Sequence, residues 1–165
     1  MTHNLHAKLR ARAAAGKPVR VGLIGAGKFG SMYLAQVPRT PGVHLAAIAD
    51  LSPAAARANL ARVGWPAEQT GAPSIDAALK SGHTHLGDDW QALVQHPGLD
   101  VIVECTGNPI AAVDHCLAAF TQGKHVVNVT VEADAFCGPL LAQRAAQAGI
   151  VYSLAYGDQP ALICD

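Results

Sequence analysis

Three glycines and one carboxylate are the first residues whose spacing suggests chemistry. The stretch 21–30 reads VGLIGAGKFG and contains Gly25-Ala26-Gly27-Lys28-Phe29-Gly30, a G-x-G-x-x-G pattern; Asp50 stands 20 residues after Gly30. In a strand–turn–helix setting this pattern binds a dinucleotide. The first glycine makes the turn, the second lets backbone approach the pyrophosphate, and the third lets the helix pack on the strand. The helix's first amides then face the anion. An acid about 20 residues on accepts a hydrogen bond from the adenosine ribose 2′-hydroxyl. Because a carboxylate repels a 2′-phosphate, Asp50 leans the expected NAD(P)(H) cofactor toward NAD(H). Lys28 and Arg57 keep NADP(H) open, since either could soften that repulsion.

Read from Gly22, the same stretch also fits G-x-x-x-x-G-K, most of a triphosphate loop. That loop needs a Ser or Thr after its lysine to ligate Mg²⁺. Phe29 occupies the position, and Gly22 lies inside the apolar run VRVGLI. The triphosphate reading fails on chemistry and on placement.

Further polar residues follow later apolar runs. Glu104-Cys105-Thr106-Gly107-Asn108-Pro109 comes first, then Asn128, Thr130, Glu132 and Asp134, then Gly157-Asp158-Gln159-Pro160. Ligands in open α/β sheets bind beyond the carboxyl ends of the strands. Thr106, Gly107 and Asn108 are therefore expected along the nicotinamide ribose. Four acids, Glu104, Glu132, Asp134 and Asp158, gather near one edge as contacts to substrate, metal or nicotinamide. Glu132 and Asp158 are the catalytic candidates, and helix capping is the competing role for Asp134 and Asp158. His83-x-His85 could share one side of a strand, but without further ligands nearby the pair reads as surface histidines, and no metal site is expected. Cys105 reads as a small buried thiol in preference to a nucleophile, because no neighbouring base is placed to activate it.

Elements must exist to position these groups. Continuous apolar runs at 19–24, 44–49, 101–105, 125–129 and 150–154, with a weaker one at 83–86, predict strands buried on both faces of a parallel sheet. Helices are expected at 29–37, 53–62, 74–81, 89–95, 109–122 and 135–148. Ser52-Pro53, Asp88 or Asp89, and Asn108-Pro109 supply start signals, while Gly123 and Gly149 supply stops. The segment 63–82 reads as a surface excursion with one short helix. The alternation predicts a Rossmann fold: a doubly wound parallel sheet in three α/β/α layers, strand order 3-2-1-4-5-6. Residues 1–18 read as an N-terminal helix, Leu5 and Leu9 on one face, and linker; 19–165 read as the NAD(P)-binding domain. Since a new helix begins near the end, a substrate domain is expected beyond 165.

Composition agrees with this. Half of the 165 residues are apolar and 15% are charged, enough for a core and unlike a disordered chain. No apolar run approaches the ~18 residues that span a bilayer. The basic N-terminus lacks the apolar stretch of a secretory signal, although a transit peptide competes with the short helix there. Four cysteines without a C-x-x-C pair read as reduced thiols in the cytoplasm. Net charge is zero, yet all twelve acids lie from Asp50 onward and residues 1–49 carry only bases. Those bases are dispersed, so a solvated face and a phosphate site are expected, with no nucleic acid, no membrane, a small-molecule substrate and a homo-oligomer.

The runs KPVRVGLIGAGKFGSMYLAQ, ECTGNP, NVTVEAD and YSLAYGDQPALIC resemble the homoserine-dehydrogenase-like oxidoreductases with a C-terminal SAF domain, a group that includes enzymes similar to 1-deoxyxylulose-5-phosphate reductoisomerase. The resemblance covers nearly the whole chain. It implies an NAD(P)-dependent oxidoreductase whose catalytic and SAF regions follow Asp165. Against homoserine dehydrogenases, Val131 stands where the family has a catalytic lysine, which argues against homoserine oxidation. Against reductoisomerases, Glu132 matches the end of an Ala-Asn-Lys-Glu run without its lysine. Two alternatives remain: a reductoisomerase-like enzyme acting on a sugar phosphate with a divalent metal, and a non-catalytic NAD(H)-sensing module.

Overall fold

The apolar runs form one six-stranded parallel sheet in a computed structural model that describes residues 4–155. Its strands are β1 (Val19–Ile24), β2 (Val43–Ala49), β3 (His85–Gly87), β4 (Val101–Glu104), β5 (His125–Asn128) and β6 (Tyr152–Leu154). The order is β3-β2-β1-β4-β5-β6, as the alternation predicts, and β1 pairs in parallel with both β2 and β4. Chain direction across the sheet therefore reverses between β1 and β4. Adjacent helices cannot close the space above that reversal, and a crevice opens there.

Helices cover both faces because the central strands are apolar on both. On one face α2 (Lys28–Gln36) and α3 (Pro53–Arg62) enclose Leu23, Leu34, Ile48 and Leu60. On the other, α5 (Trp90–Gln95), α6 (Pro109–Thr121) and α7 (Val131–Gln147) enclose Leu93, Ile102, Phe120 and Leu141. Each of these side chains is at most 4% exposed, a burial worth roughly 1.5–3 kcal/mol apiece. The Ala- and Gly-rich composition sets how close the layers come. A Cβ at Gly22 would lie 2.6 Å from a Leu93 methyl, so α5 rests directly on β1.

The start signals act as read. The side chains of Ser52, Asp89 and Asn108 accept amide hydrogen bonds at the N-termini of α3, α5 and α6. The excursion 63–82 contains a 3-10 turn (Ala67–Thr70) and the expected short helix α4 (Ile75–Ser81). The N-terminal helix α1 (Leu5–Ala14) forms but buries none of its residues, and Leu5 is exposed. It docks through backbone: the Leu9 carbonyl occupies the space that a Cβ on Gly42 would need.

One helix begins earlier than its sequence suggests. α7 starts at Val131, four residues before the expected 135, so Glu132 and Asp134 belong to its first turn and not to a loop. Asp134 caps nothing; its Oδ1 accepts the Tyr152 hydroxyl (3.0 Å) and its carboxylate fills the space beside Gly138. Inside the helix stands Pro139. It lacks an N–H and crowds the preceding turn, and the helix meets this with a kink at Cys137 (φ −146°, ψ 22°) rather than a break.

Candidate active site

The crevice is a cavity of about 850 Å³ beyond the carboxyl ends of β1, β2, β4 and β5, where Ile24, Asp50, Cys105 and Val129 meet. The three glycines reach it with different geometries. Gly25 has φ +91°, and a Cβ there would lie 2.7 Å from the Cys105 carbonyl oxygen. A Cβ on Gly30 would lie 2.7 Å from the Gly25 carbonyl oxygen, so the third glycine lets α2 sit on the turn. At Gly27 a Cβ meets nothing within 4 Å: its open side faces the cavity. Gly27 is also the N-cap of α2, and the amides of Lys28, Phe29 and Gly30 have no carbonyl one turn back to receive them. This is an anion cradle at a helix N-terminus, and it fits a pyrophosphate.

Asp50 ends β2 at the cavity wall. The Ala26 N–H donates to its Oδ2 (2.8 Å) and the Ser52 N–H to its Oδ1 (2.8 Å), so the carboxylate fixes the glycine turn from the side. A carboxylate has about four acceptor sites, leaving capacity for a ribose hydroxyl. α3 ties the same turn down from above, where Asn59 Nδ2 donates to the Ala26 carbonyl (2.8 Å). Of the two cations read near the ribose, Lys28 lines the cavity. Arg57 turns toward Thr70 Oγ1 (3.5 Å), outside the lining.

The opposite wall carries Thr106, Gly107 and Asn108 from the β4–α6 loop, with Thr130 and Glu132 from the start of α7. Glu132, one of the two catalytic candidates, is exposed and lines the cavity. Asp158 lies outside the described residues, as does its Gly-Asp-Gln-Pro loop. Glu104 does not reach the cavity: it is 0% exposed and faces Thr106, Thr130 and His115 beneath the loop. Of the acids expected to gather near one edge, Glu132 lines the cavity, while Glu104 and Asp134 do not. The His85 ring is spent on packing beside β3, its Nδ1 bonding to the Ala72 carbonyl (2.9 Å), while His83 offers its backbone carbonyl to His44 Nε2 (2.8 Å).

Two cavity residues escaped the sequence reading, Trp90 and His115. Their rings meet edge to face at 4.5 Å. The signal for His115 was present: Ala112, His115, Cys116 and Ala119 recur at helical spacing and form the buried face of α6. A histidine on such a face requires a polar partner, and Glu104 provides it.

Cys105 lines the cavity as an inert thiol. Burial, and secondarily the Glu104 carboxylate, pushes it up to about 12, and burial pushes Cys116 up to about 12 as well. Both remain neutral through the physiological range and lack a thiolate to react. Iodoacetamide at about pH 8 is expected to leave Cys105 and Cys116 unmodified in the folded chain and to alkylate both in urea, read by peptide mass spectrometry. Labelling of Cys105 at the rate of a free thiol would contradict the burial account.

No helix among the described residues is long and apolar enough to cross a membrane. Residues 19–128 match an oxidoreductase family with an NAD-binding Rossmann fold. No curated protein matches the chain. Solved structures share its fold. An NAD binding oxidoreductase from Klebsiella pneumoniae is 24% identical (TM-score 0.62), covering 88% of this chain and 37% of that one. Biliverdin reductase from Synechocystis, in complex with biliverdin and NADP+, is 24% identical (TM-score 0.56; 83% and 37%). A homoserine dehydrogenase from Thiobacillus denitrificans is 22% identical (TM-score 0.64; 84% and 29%). The chain thus spans well under half the length of each. The glycine cradle, the acid at the end of β2 and the family match across β1 to β5 agree: this chain belongs to the Gfo/Idh/MocA oxidoreductase family, with its NAD-binding Rossmann fold.

Proposed function

We propose that this chain is the cofactor-binding domain of an oxidoreductase that moves a hydride to or from a small hydroxy or oxo substrate, with NAD(P)(H) as carrier. The observation that carries this reading is the open side of Gly27 at the N-terminus of α2, facing a cavity large enough for a dinucleotide. The nicotinamide supplies the hydride chemistry; the protein binds and orients. The amides of Lys28 to Gly30 hold the pyrophosphate and Asp50 accepts from the adenosine ribose. Thr106, Gly107 and Asn108 would lie along the second ribose, and Glu132, with Asp158, is a candidate for the nicotinamide side. Substrate and proton-transfer groups come mainly from a further domain. The homoserine-dehydrogenase-like motifs support this arrangement, while Val131 in place of the family's lysine speaks for a substrate other than homoserine.

Asp50 gives the lean to NAD(H); Lys28, in the cavity lining, opposes it more directly than Arg57, which turns toward Thr70. Calorimetric titration of the 165-residue chain is expected to show NADH binding more tightly than NADPH. Asp50→Ala should weaken NADH by about tenfold or more, the value of a charge-assisted hydrogen bond, and NADPH by less. The ratio is the informative quantity, since losing the tether to Ala26 weakens both nucleotides alike. An unchanged ratio sinks the 2′-hydroxyl role, and no binding of either nucleotide at millimolar concentration sinks the function.

A further inference from the structure

The buried Glu104 is a feature that the cofactor reading leaves unused. It is the last residue of β4, it is 0% exposed, and no lysine or arginine pairs with it among the described residues. Burying a carboxylate costs several kcal/mol unless donors compensate. The donors around it therefore show what the carboxylate organises.

Four donors converge on it. Oε1 accepts the Thr106 N–H (3.3 Å), the Thr106 hydroxyl (2.5 Å) and the His115 Nδ1–H (3.2 Å); Oε2 accepts the Thr130 hydroxyl. With Glu104 as the carboxylate and the His115 proton on Nδ1, the directions run one way. The Asn108 N–H donates to Thr106 Oγ1 (3.3 Å) and the Gly107 N–H to Thr130 Oγ1 (3.0 Å). Amides cannot accept, so each hydroxyl takes an amide proton and passes its own to Glu104. All three successive loop amides are thereby governed by one carboxylate: Thr106 directly, Gly107 through Thr130, and Asn108 through Thr106. The carboxylate also joins the loop after β4 to the residue that opens α7, 26 positions away in the chain. His115, set against Trp90, supplies the fourth donor from α6.

From this geometry we propose that Glu104 is a positioning residue for the cofactor: buried behind the loop, its carboxylate sets the conformation of Thr106–Asn108 on which the ribose beside the nicotinamide rests. This deepens the proposed function and depends on that ribose lying there. Glu104 itself touches no cofactor. A glutamine has nearly the same shape but one acceptor oxygen, and its NH₂ cannot receive a hydroxyl proton. Glu104→Gln therefore releases one of the two threonines while keeping the volume of the site.

The test compares two ligands on the 165-residue chain. NADH spans the whole crevice, whereas ADP reaches only the glycine turn and Asp50. Glu104→Gln is expected to weaken NADH by about tenfold and leave ADP within about twofold, a loss of one charge-assisted hydrogen bond's worth of order. In the cofactor-free chain, amide hydrogen exchange at Gly107 or at Asn108, whichever threonine is released, should quicken by about tenfold or more. Leu45→Ala, a core truncation toward the amino end of β2 and outside the cavity lining, controls for general loosening and should keep the wild-type NADH-to-ADP ratio. Should Glu104→Gln not fold, Thr130→Val removes one arm of the network and must quicken exchange at Gly107 in the same way. Wild-type binding of NADH with an unchanged ratio and unchanged exchange in the variants overturns this proposal alone. Failure of the wild-type chain to bind either ligand overturns the cofactor reading, and this proposal with it.

Discussion

Gly27→Val is expected to keep the fold and lose the cofactor. A Cβ at this position has no neighbour within 4 Å, and the backbone (φ −69°, ψ −155°) is extended conformation that a side chain tolerates. The stability cost is that of a poor helix N-cap, about 0.5–1 kcal/mol, or a fall in Tm of roughly 1–4 °C for a domain of this size. The binding cost is far larger. The space a valine fills is the space through which the first amides of α2 must meet the pyrophosphate. Displacing a ligand by even about 1 Å from such a cradle costs on the order of a hundredfold. Thermal denaturation by circular dichroism and NADH titration should therefore part company: nearly unchanged Tm, and affinity down by about a hundredfold or more. Normal binding by this variant would place the pyrophosphate elsewhere.

Much of this was legible in the sequence, for identifiable reasons. Strands buried on both faces carry uninterrupted apolar runs, so β1, β2, β4 and β5 announce themselves, and side-chain caps mark the starts of α3, α5 and α6. The glycines and Asp50 were readable because backbone requirements, φ +91° at Gly25 and open space at Gly27, restrict residue type directly. What escaped depends on direction and distance. Glu104 looks like a site acid at a strand end, yet its donors Thr130 and His115 come from other elements and draw it inward. Arg57 sits near Asp50 in the chain, but on α3 it faces Thr70. Helix α7 hides its start because Thr130, which should cap it, spends its hydroxyl on Glu104. Local rules see types and spacing; they do not see which of two partners wins a hydroxyl.

Gly25→Ala is expected to fail in the opposite way, through the fold itself. The methyl would lie 2.7 Å from the Cys105 carbonyl oxygen, 2.8 Å from its carbon and 2.9 Å from the Thr106 nitrogen. All three are backbone atoms, so no rotamer change relieves the overlap. Nor can the turn slide away, because the Gly25 N–H is committed to the Ala49 carbonyl (2.8 Å) and the Cys105 N–H to the Ile24 carbonyl (2.8 Å). Positive φ adds strain for any residue with a side chain. Together these costs are about 2–4 kcal/mol, a drop in Tm of roughly 5–15 °C. The relief available is to spread β1 from β4, which widens the crevice at the point the dinucleotide crosses, so NADH affinity should fall along with stability. The two substitutions thus separate the two demands on one short turn: Gly25 answers to the neighbouring strand and Gly27 to the ligand. A Gly25→Ala chain that melts with the wild type shows that β1 and β4 do not approach so closely here.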